Sequence, residues 1–315
     1  MKRVYINPED TFDKGFISVS GGHKLYYERF GNPNGKPVLF LHGGPGGGFG
    51  DKDKRFFDPK IWQVIFFDQR GAGRSTPFAS IQNNTTDNLI EDINILLNKW
   101  SIKKVLLFGG SWGSTLALTF AITHPEKVSG MILRGIFLST KKDIDHLLHG
   151  GIKNFFPEVW DRFIKLVPRN ERKNVAKYYL SQMQSPDENI REKYTFEWSY
   201  YEASIMKIKT SHKRVLKDME NFSYKSLSIL EAHYIANYCF LPENKLIKNL
   251  VKIKHIPTAI VHGRYDFVCR PSTAFFLHKK LKMSRLHLVP AGHSSSENEI
   301  EKKLLIELKK FSKTN

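Results

Sequence analysis

The sequence predicts an α/β fold: a mostly parallel central sheet flanked by helices, interrupted by an inserted all-helical segment. Three observations carry this expectation. Short apolar runs bounded by turn residues alternate with amphipathic stretches, and strands covered on both faces read as such runs. From about residue 138 to 245 the runs stop, and helix formers and aromatics take over. Beyond that stretch the runs resume, so the insertion interrupts one sheet rather than ending it.

The central strands are expected at Val38-Leu39-Phe40-Leu41, Val64-Ile65-Phe66-Phe67, Val105-Leu106-Leu107-Phe108, Met131-Ile132-Leu133, Ala259-Ile260-Val261 and Leu286-His287-Leu288-Val289. Leu89, Ile93, Leu96, Leu97 and Trp100 recur at helical spacing, as do Ile300, Leu304, Leu305, Leu308 and Phe311. Each set forms one apolar stripe suited to lie on a sheet. Pro157, Pro168 and Pro186 divide the inserted stretch into helices. The expected organisation is a core domain of residues 1–137 and 246–315 with a helical cap domain of residues 138–245. No internal repeat or low-complexity tract is apparent.

Composition bounds the class. With 315 residues, 41% hydrophobic and 25% charged, the chain reads as a folded, water-soluble protein able to bury a large core. The formal charge of +18 would attract polyanions. Its lysines are nevertheless dispersed along helix-like stretches such as Glu301-Lys302-Lys303, the pattern of a solvated face, so no nucleic-acid partner is expected. Cys239 and Cys269 are too few for a disulfide framework and lack the paired spacing of a zinc site. Met1-Lys2-Arg3-Val4-Tyr5-Ile6-Asn7-Pro8 lacks the apolar core of a signal peptide, and nowhere do 18 apolar residues run together. A cytoplasmic protein without a membrane partner is the expectation.

The chemistry centres on Gly109-Gly110-Ser111-Trp112-Gly113, which follows an apolar strand and leads into the helix pattern Ser114 to Ala121. This strand-turn-helix context is what a nucleophile elbow requires. The turn is so sharp that side chains two residues before and after the serine would clash. A serine hydroxyl needs a base to take its proton and a carboxylate to orient that base. Asp266 and His293 both follow apolar strands, in the order the motif implies. His262 and His124 read instead as packing or helix-end residues, and His42 as loop structure.

An oxyanion formed at the attacked carbonyl needs preorganised donors. Trp112 N–H is one candidate. The second is expected from His42-Gly43-Gly44-Pro45-Gly46-Gly47-Gly48, with Gly44 favoured over Gly43. That glycine loop lacks the lysine of a phosphate-binding P-loop and has no clear helix after it, which argues against nucleotide binding.

Taken together, His42-Gly43-Gly44-Pro45-Gly46, Asp68-Gln69-Arg70-Gly71-Ala72-Gly73-Arg74-Ser75 and Gly109-Gly110-Ser111-Trp112-Gly113-Ser114 resemble the proline iminopeptidases, serine peptidases of the α/β-hydrolase superfamily. The likeness extends through Leu133-Arg134-Gly135-Ile136-Phe137-Leu138, His262-Gly263-Arg264-Tyr265-Asp266 and Ala291-Gly292-His293-Ser294. It implies an α/β-hydrolase fold, a Ser111, Asp266 and His293 triad, and release of an N-terminal residue, preferentially proline, through an acyl-enzyme. Short peptides with a free N-terminus would be the substrates, and no metal or organic cofactor is required.

The resemblance also implies that Glu202 and Glu231, in the cap, hold the substrate's free amino or imino group, as opposite charges would. Phe137 would wall the pyrrolidine pocket, with ordinary core packing as its other reading. Three positions depart from the family: Tyr201 replaces the usual tryptophan, Ile229 a common arginine, and Leu148 a frequent tyrosine. Two rival functions stay open at this point. A general esterase or other small-molecule hydrolase differs only in the cap glutamates, and a non-catalytic binding protein would use the same scaffold.

Overall fold

Eight strands form one sheet in the computed structural model, which describes residues 10–220 and 223–313. Met1–Pro8, the segment expected to lack the apolar core of a signal peptide, lie outside the described residues. The strands are β1 (Thr11–Ser18), β2 (Lys24–Gly31), β3 (Lys36–Leu41), β4 (Trp62–Phe67), β5 (Val105–Gly110), β6 (Val128–Arg134), β7 (Thr258–Gly263) and β8 (Ser284–Val289). Their spatial order is β1-β2-β4-β3-β5-β6-β7-β8. The six expected strands are β3 to β8, all parallel to one another.

Two strands escaped the sequence reading. β2 pairs antiparallel with β4, and β1 antiparallel with β2, extending the sheet at one edge. Their sequences, TFDKGFIS and KLYYERFG, mix charges with aromatics, and no residue of β1 is fully buried. An edge strand covered on one side carries no continuous apolar run for the eye to find.

Side chains alternate across the sheet, as the twofold strand period requires. Leu39, Leu41, Ile65, Phe67, Leu107, Leu133 and Ile260 form one core with the helices Thr86–Lys99 and Trp112–Thr123. Val38, Phe40, Val64, Phe66, Phe108, Ile132 and Val261 form the other, with Ile300, Leu304, Leu308 and Phe311 of the helix Asn298–Phe311. The helix Trp112–Thr123 is buried almost throughout, because it lies between the sheet and the helices outside it.

Between β6 and β7 the described chain is helical, with Lys141–Leu148, Pro157–Lys165, Val175–Met183, Glu188–Ile205, His212–Glu220 and Tyr224–Ala236 as its main elements. Trp160, Phe163, Tyr179, Trp198 and Tyr201 build a separate aromatic core there. Tyr234 Oη donates to Asn84 Oδ1 at 2.9 Å, and the His233 ring meets Asn84 O at 3.0 Å, pinning the last long helix to the loop before Thr86. No helix among the described residues is long and apolar enough to cross a membrane.

Candidate active site

Ser111 sits between β5 and the helix Trp112–Thr123 with φ 57° and ψ −126°, a backbone conformation that costs about 1–3 kcal/mol for a side-chain-bearing residue and persists only where its surroundings impose it. The neighbouring glycines show what imposes it. A Cβ on Gly109 would fall 2.3 Å from Gly113 O, and one on Gly113 would fall 2.0 Å from Leu41 O. Strand, turn and helix therefore approach more closely than any other residue allows, which lifts Ser111 above the C-terminal edge of the sheet.

Asp266 follows β7 and His293 follows β8, and the two side chains meet: His293 Nδ1 lies 2.8 Å from Asp266 Oδ2. Both are buried, at 4% and 1% exposure. Burial by itself raises the Asp266 carboxyl, yet His293, His262 and the Cys269 N–H outweigh it and hold the pKa below the ordinary carboxylate value. Cys269 N donates to Asp266 Oδ1 at 2.8 Å. His262 acts as packing with directed bonds: its Nδ1 accepts from Ile136 N, and its Nε2 faces Cys269 O at 2.9 Å.

The far nitrogen of His293 does not meet Ser111. Nε2 lies 3.0 Å from an Arg134 guanidinium nitrogen, which also donates to His293 O at 2.9 Å. An imidazole that accepts at Nε2 carries its proton at Nδ1, towards Asp266. Arg134, at the end of β6, and Gly135 after it were missed as site residues, although both stood in a segment already singled out. A Cβ on Gly135, whose φ is +54°, would lie 2.7 Å from His293 Cε1, so this glycine makes room for the imidazole.

The glycine loop after β3 is braced by the loop after β4. Gln69 Nε2 donates to His42 O at 3.0 Å, while Gln69 Oε1 accepts from Trp112 Nε1 at 2.9 Å. Gln69 N donates to His42 Nε2, which makes His42 a structural acceptor. Asp68 accepts from Phe49 N, Arg74 N and Arg74 Nε, and Arg70 forms a fully buried two-pronged pair with Asp92. Gly44 takes φ +105° beside Pro45, and a Cβ on Gly43 would lie 3.4 Å from Ser111 Cβ. The Gly44 and Trp112 N–H groups make no hydrogen bond to another described residue, leaving both donors for a ligand.

In the helical segment, Thr195, Trp198, Ser199 and Glu202 share one face of Glu188–Ile205, and Ser228 and Glu231 one face of Tyr224–Ala236. Ser199 Oγ and Ser228 Oγ meet at 2.7 Å, and small residues there let the helices approach. Glu202 and Glu231 thereby come close enough for their carboxyls to influence each other, 7% and 5% exposed. Trp198 Nε1 donates to Glu231 Oε2 at 2.7 Å. Burial, and then the neighbouring Glu202 charge, push the Glu231 carboxyl well above its ordinary pKa. Burial also raises Glu202, against the opposing pull of His293 and Arg134.

A narrow cavity connects several of these parts: its walls include Gly44, Ser111, Trp112, Phe137, Glu231 and Cys269. Phe137 is half-buried there, with its backbone held by Ser114 and Thr115 hydroxyls. Tyr201 points elsewhere, stacking on Phe163 at 4.1 Å and donating to Leu147 O. Burial raises the Cys269 thiol well above its ordinary pKa and pushes Cys239 up to about 12, so neither is a ready thiolate.

A family model described as the α/β hydrolase fold matches residues 36–299. The proline iminopeptidase of Arabidopsis thaliana is 41% identical over 308 residues, covering 97% of this chain and 81% of that one. The chain belongs to the proline iminopeptidase family. The probable proline iminopeptidase of Leptolyngbya boryana is likewise 41% identical, with 96% of each chain covered, and the proline iminopeptidase of Neisseria gonorrhoeae is 38% identical, with 90% and 91% covered. Among solved structures, an esterase from Exiguobacterium antarcticum superposes with a TM-score of 0.66 at 22% identity, covering 95% of this chain and 99% of that one. That likeness is one of fold. As a proline iminopeptidase family member the chain is a hydrolase, and its scaffold is the α/β-hydrolase sheet described above.

Proposed function

We propose that this protein is an aminopeptidase that releases the first residue, preferentially proline, from short peptides with a free N-terminus, using Ser111 as nucleophile. The observation that carries the reading is the buried Glu202 and Glu231 pair, of which Glu231 walls the same cavity as Ser111. Two carboxyls in a dry site reward an entering ammonium and reject a blocked terminus. Segment 138–245 then acts as a cap over a core of 1–137 and 246–315.

In the reaction, the His293 imidazole exchanges its Arg134 contact for the Ser111 hydroxyl and takes its proton at Nε2, while Asp266 holds Nδ1–H. Ser111 Oγ bonds to the first carbonyl carbon, and the N–H groups of Gly44 and Trp112 receive the oxyanion. His293 returns the proton to the nitrogen of the second residue as the peptide bond breaks. Water then attacks the ester, giving its proton to His293, and Ser111 is restored with release of the first residue. Phe137 forms one wall of the pocket for the proline ring.

The test is Ser111→Ala assayed on a proline arylamide. Loss of cleavage by about 10³-fold or more is expected from removal of the nucleophile. A variant that hydrolyses the arylamide at an undiminished rate would sink the assignment.

A further inference from the structure

Asp143 forms part of the wall of the candidate active-site cavity. This residue, in the helix Lys141–Leu148, is also part of the wall of a second and larger space, an open groove that includes Lys141, Lys142, Glu243, Arg270 and Thr273. Asp143 is buried, and four donors saturate its carboxylate. Arg270 and the Thr273 hydroxyl bind Oδ1, each at 2.9 Å, while Thr140 N and Oγ1 bind Oδ2. With no lone pair left over, it is built as a partition and not as a receptor. The same cavity wall includes Phe137, Leu147, Val268 and Cys269, a largely apolar lining suited to the first residue's side chain.

We infer that Asp143, held by Arg270 and Thr273, is the end wall that limits the size of the first residue's side chain, separating that pocket from the outer groove. The inference rests on the aminopeptidase reading and names what sets its specificity. Opening the wall joins the two spaces. The newly reachable groove carries Lys141, Lys142 and Arg270 against Glu243, and loss of Asp143 leaves Arg270 without its carboxylate. An opened pocket therefore favours long first residues, and among charged ones it favours glutamate over lysine.

The experiment compares Asp143→Ala, Asp143→Asn and Asp143→Glu with the unaltered protein on arylamides of proline, alanine, leucine, glutamate and lysine, reading kcat/KM. Asp143→Ala is expected to raise the leucine-to-proline and glutamate-to-proline ratios at least tenfold, with glutamate gaining more than lysine. Asp143→Asn gives up the charge facing Arg270 but keeps the wall's volume, so it leaves the leucine-to-proline ratio within about threefold whatever its cost in stability. Asp143→Glu pushes one methylene into the cavity and shifts the ratio of alanine over proline upward. A uniform loss across all five substrates in both the Ala and Glu variants, with ratios unchanged, would overturn the inference while leaving the aminopeptidase reading intact. Failure of the unaltered protein to cleave any free aminoacyl arylamide would overturn both.

Discussion

His293 Nδ1 stands 2.8 Å from Asp266 Oδ2, and both groups are shut away from water. Three other contacts fix this pair: the Cys269 N–H on Asp266, Arg134 on the far side of the imidazole, and Gly135 beneath its ring. The geometry sets one tautomer, and activity should depend on it.

Asp266→Asn presents an amide where the imidazole N–H needs an acceptor, and either amide orientation disturbs the network that now includes Cys269 N. The expected result is a fall in kcat of about 10³–10⁴-fold with the fold retained. Steady-state kinetics alongside a thermal melt would check it; a kcat within tenfold of the unaltered protein would count against the assigned role.

Gly135→Ala places a methyl group 2.7 Å from His293 Cε1 at a positive φ. Displacing a catalytic group by about 1 Å can cost 10²-fold in rate, so a loss of about that size is expected, mainly in kcat. A fluorophosphonate probe should label Ser111 correspondingly more slowly. Normal labelling and turnover would show that His293 has room to spare.

The glutamate pair predicts a pH-dependent stability. Glu231 has a folded pKa raised well above 4.5, chiefly by burial, so the folded state holds a proton that the unfolded chain releases as pH rises past that value. Its unfavourable contribution is absent below the unfolded pKa and grows as pH rises towards the folded pKa. Glu231→Gln cannot ionise, so its melting temperature should gain on the unaltered protein between pH 4 and pH 8, by roughly 2–4 °C for each kcal/mol relieved. Melts across that range are the check. A constant difference, or one that shrinks as pH rises, contradicts the burial argument.

Gln69→Ala strips a partner from both Trp112 Nε1 and His42 O inside the protein. Each buried polar group left unpaired costs about 1–3 kcal/mol. Denaturant unfolding should show a loss of roughly 2–5 kcal/mol, together with reduced kcat because both flanks of the oxyanion site loosen. A stability change under 0.5 kcal/mol would mean that water replaces the amide.

The sheet was legible where burial was complete. β3 to β8 appear as apolar runs because both faces are covered, whereas β1 keeps Asp13 and Lys14 on a partly exposed edge and β2 carries Glu28 and Arg29 among its aromatics, which hides their period. The turn at Ser111 was legible through its glycines, since only glycine tolerates a 2.0 Å approach to Leu41 O. Asp266 and His293 could be found by their places after apolar strands. Arg134 could not, because an arginine ending a buried strand looks the same in sequence whether it turns to solvent or inward to His293. Asp143 was equally hidden: its partners Arg270 and Thr273 lie 127 and 130 residues away. The family resemblance supplied Glu202 and Glu231; periodicity alone would have left them on a solvated face.

The most direct measurement of the central claim pairs a free proline arylamide with its N-acetylated counterpart. If Glu202 and Glu231 receive a charged terminus and present the first carbonyl to Ser111, kcat/KM should fall by at least 10²-fold on acetylation, the scale of an unpaired buried charge partner. Equal or faster hydrolysis of the acetylated compound would contradict the account.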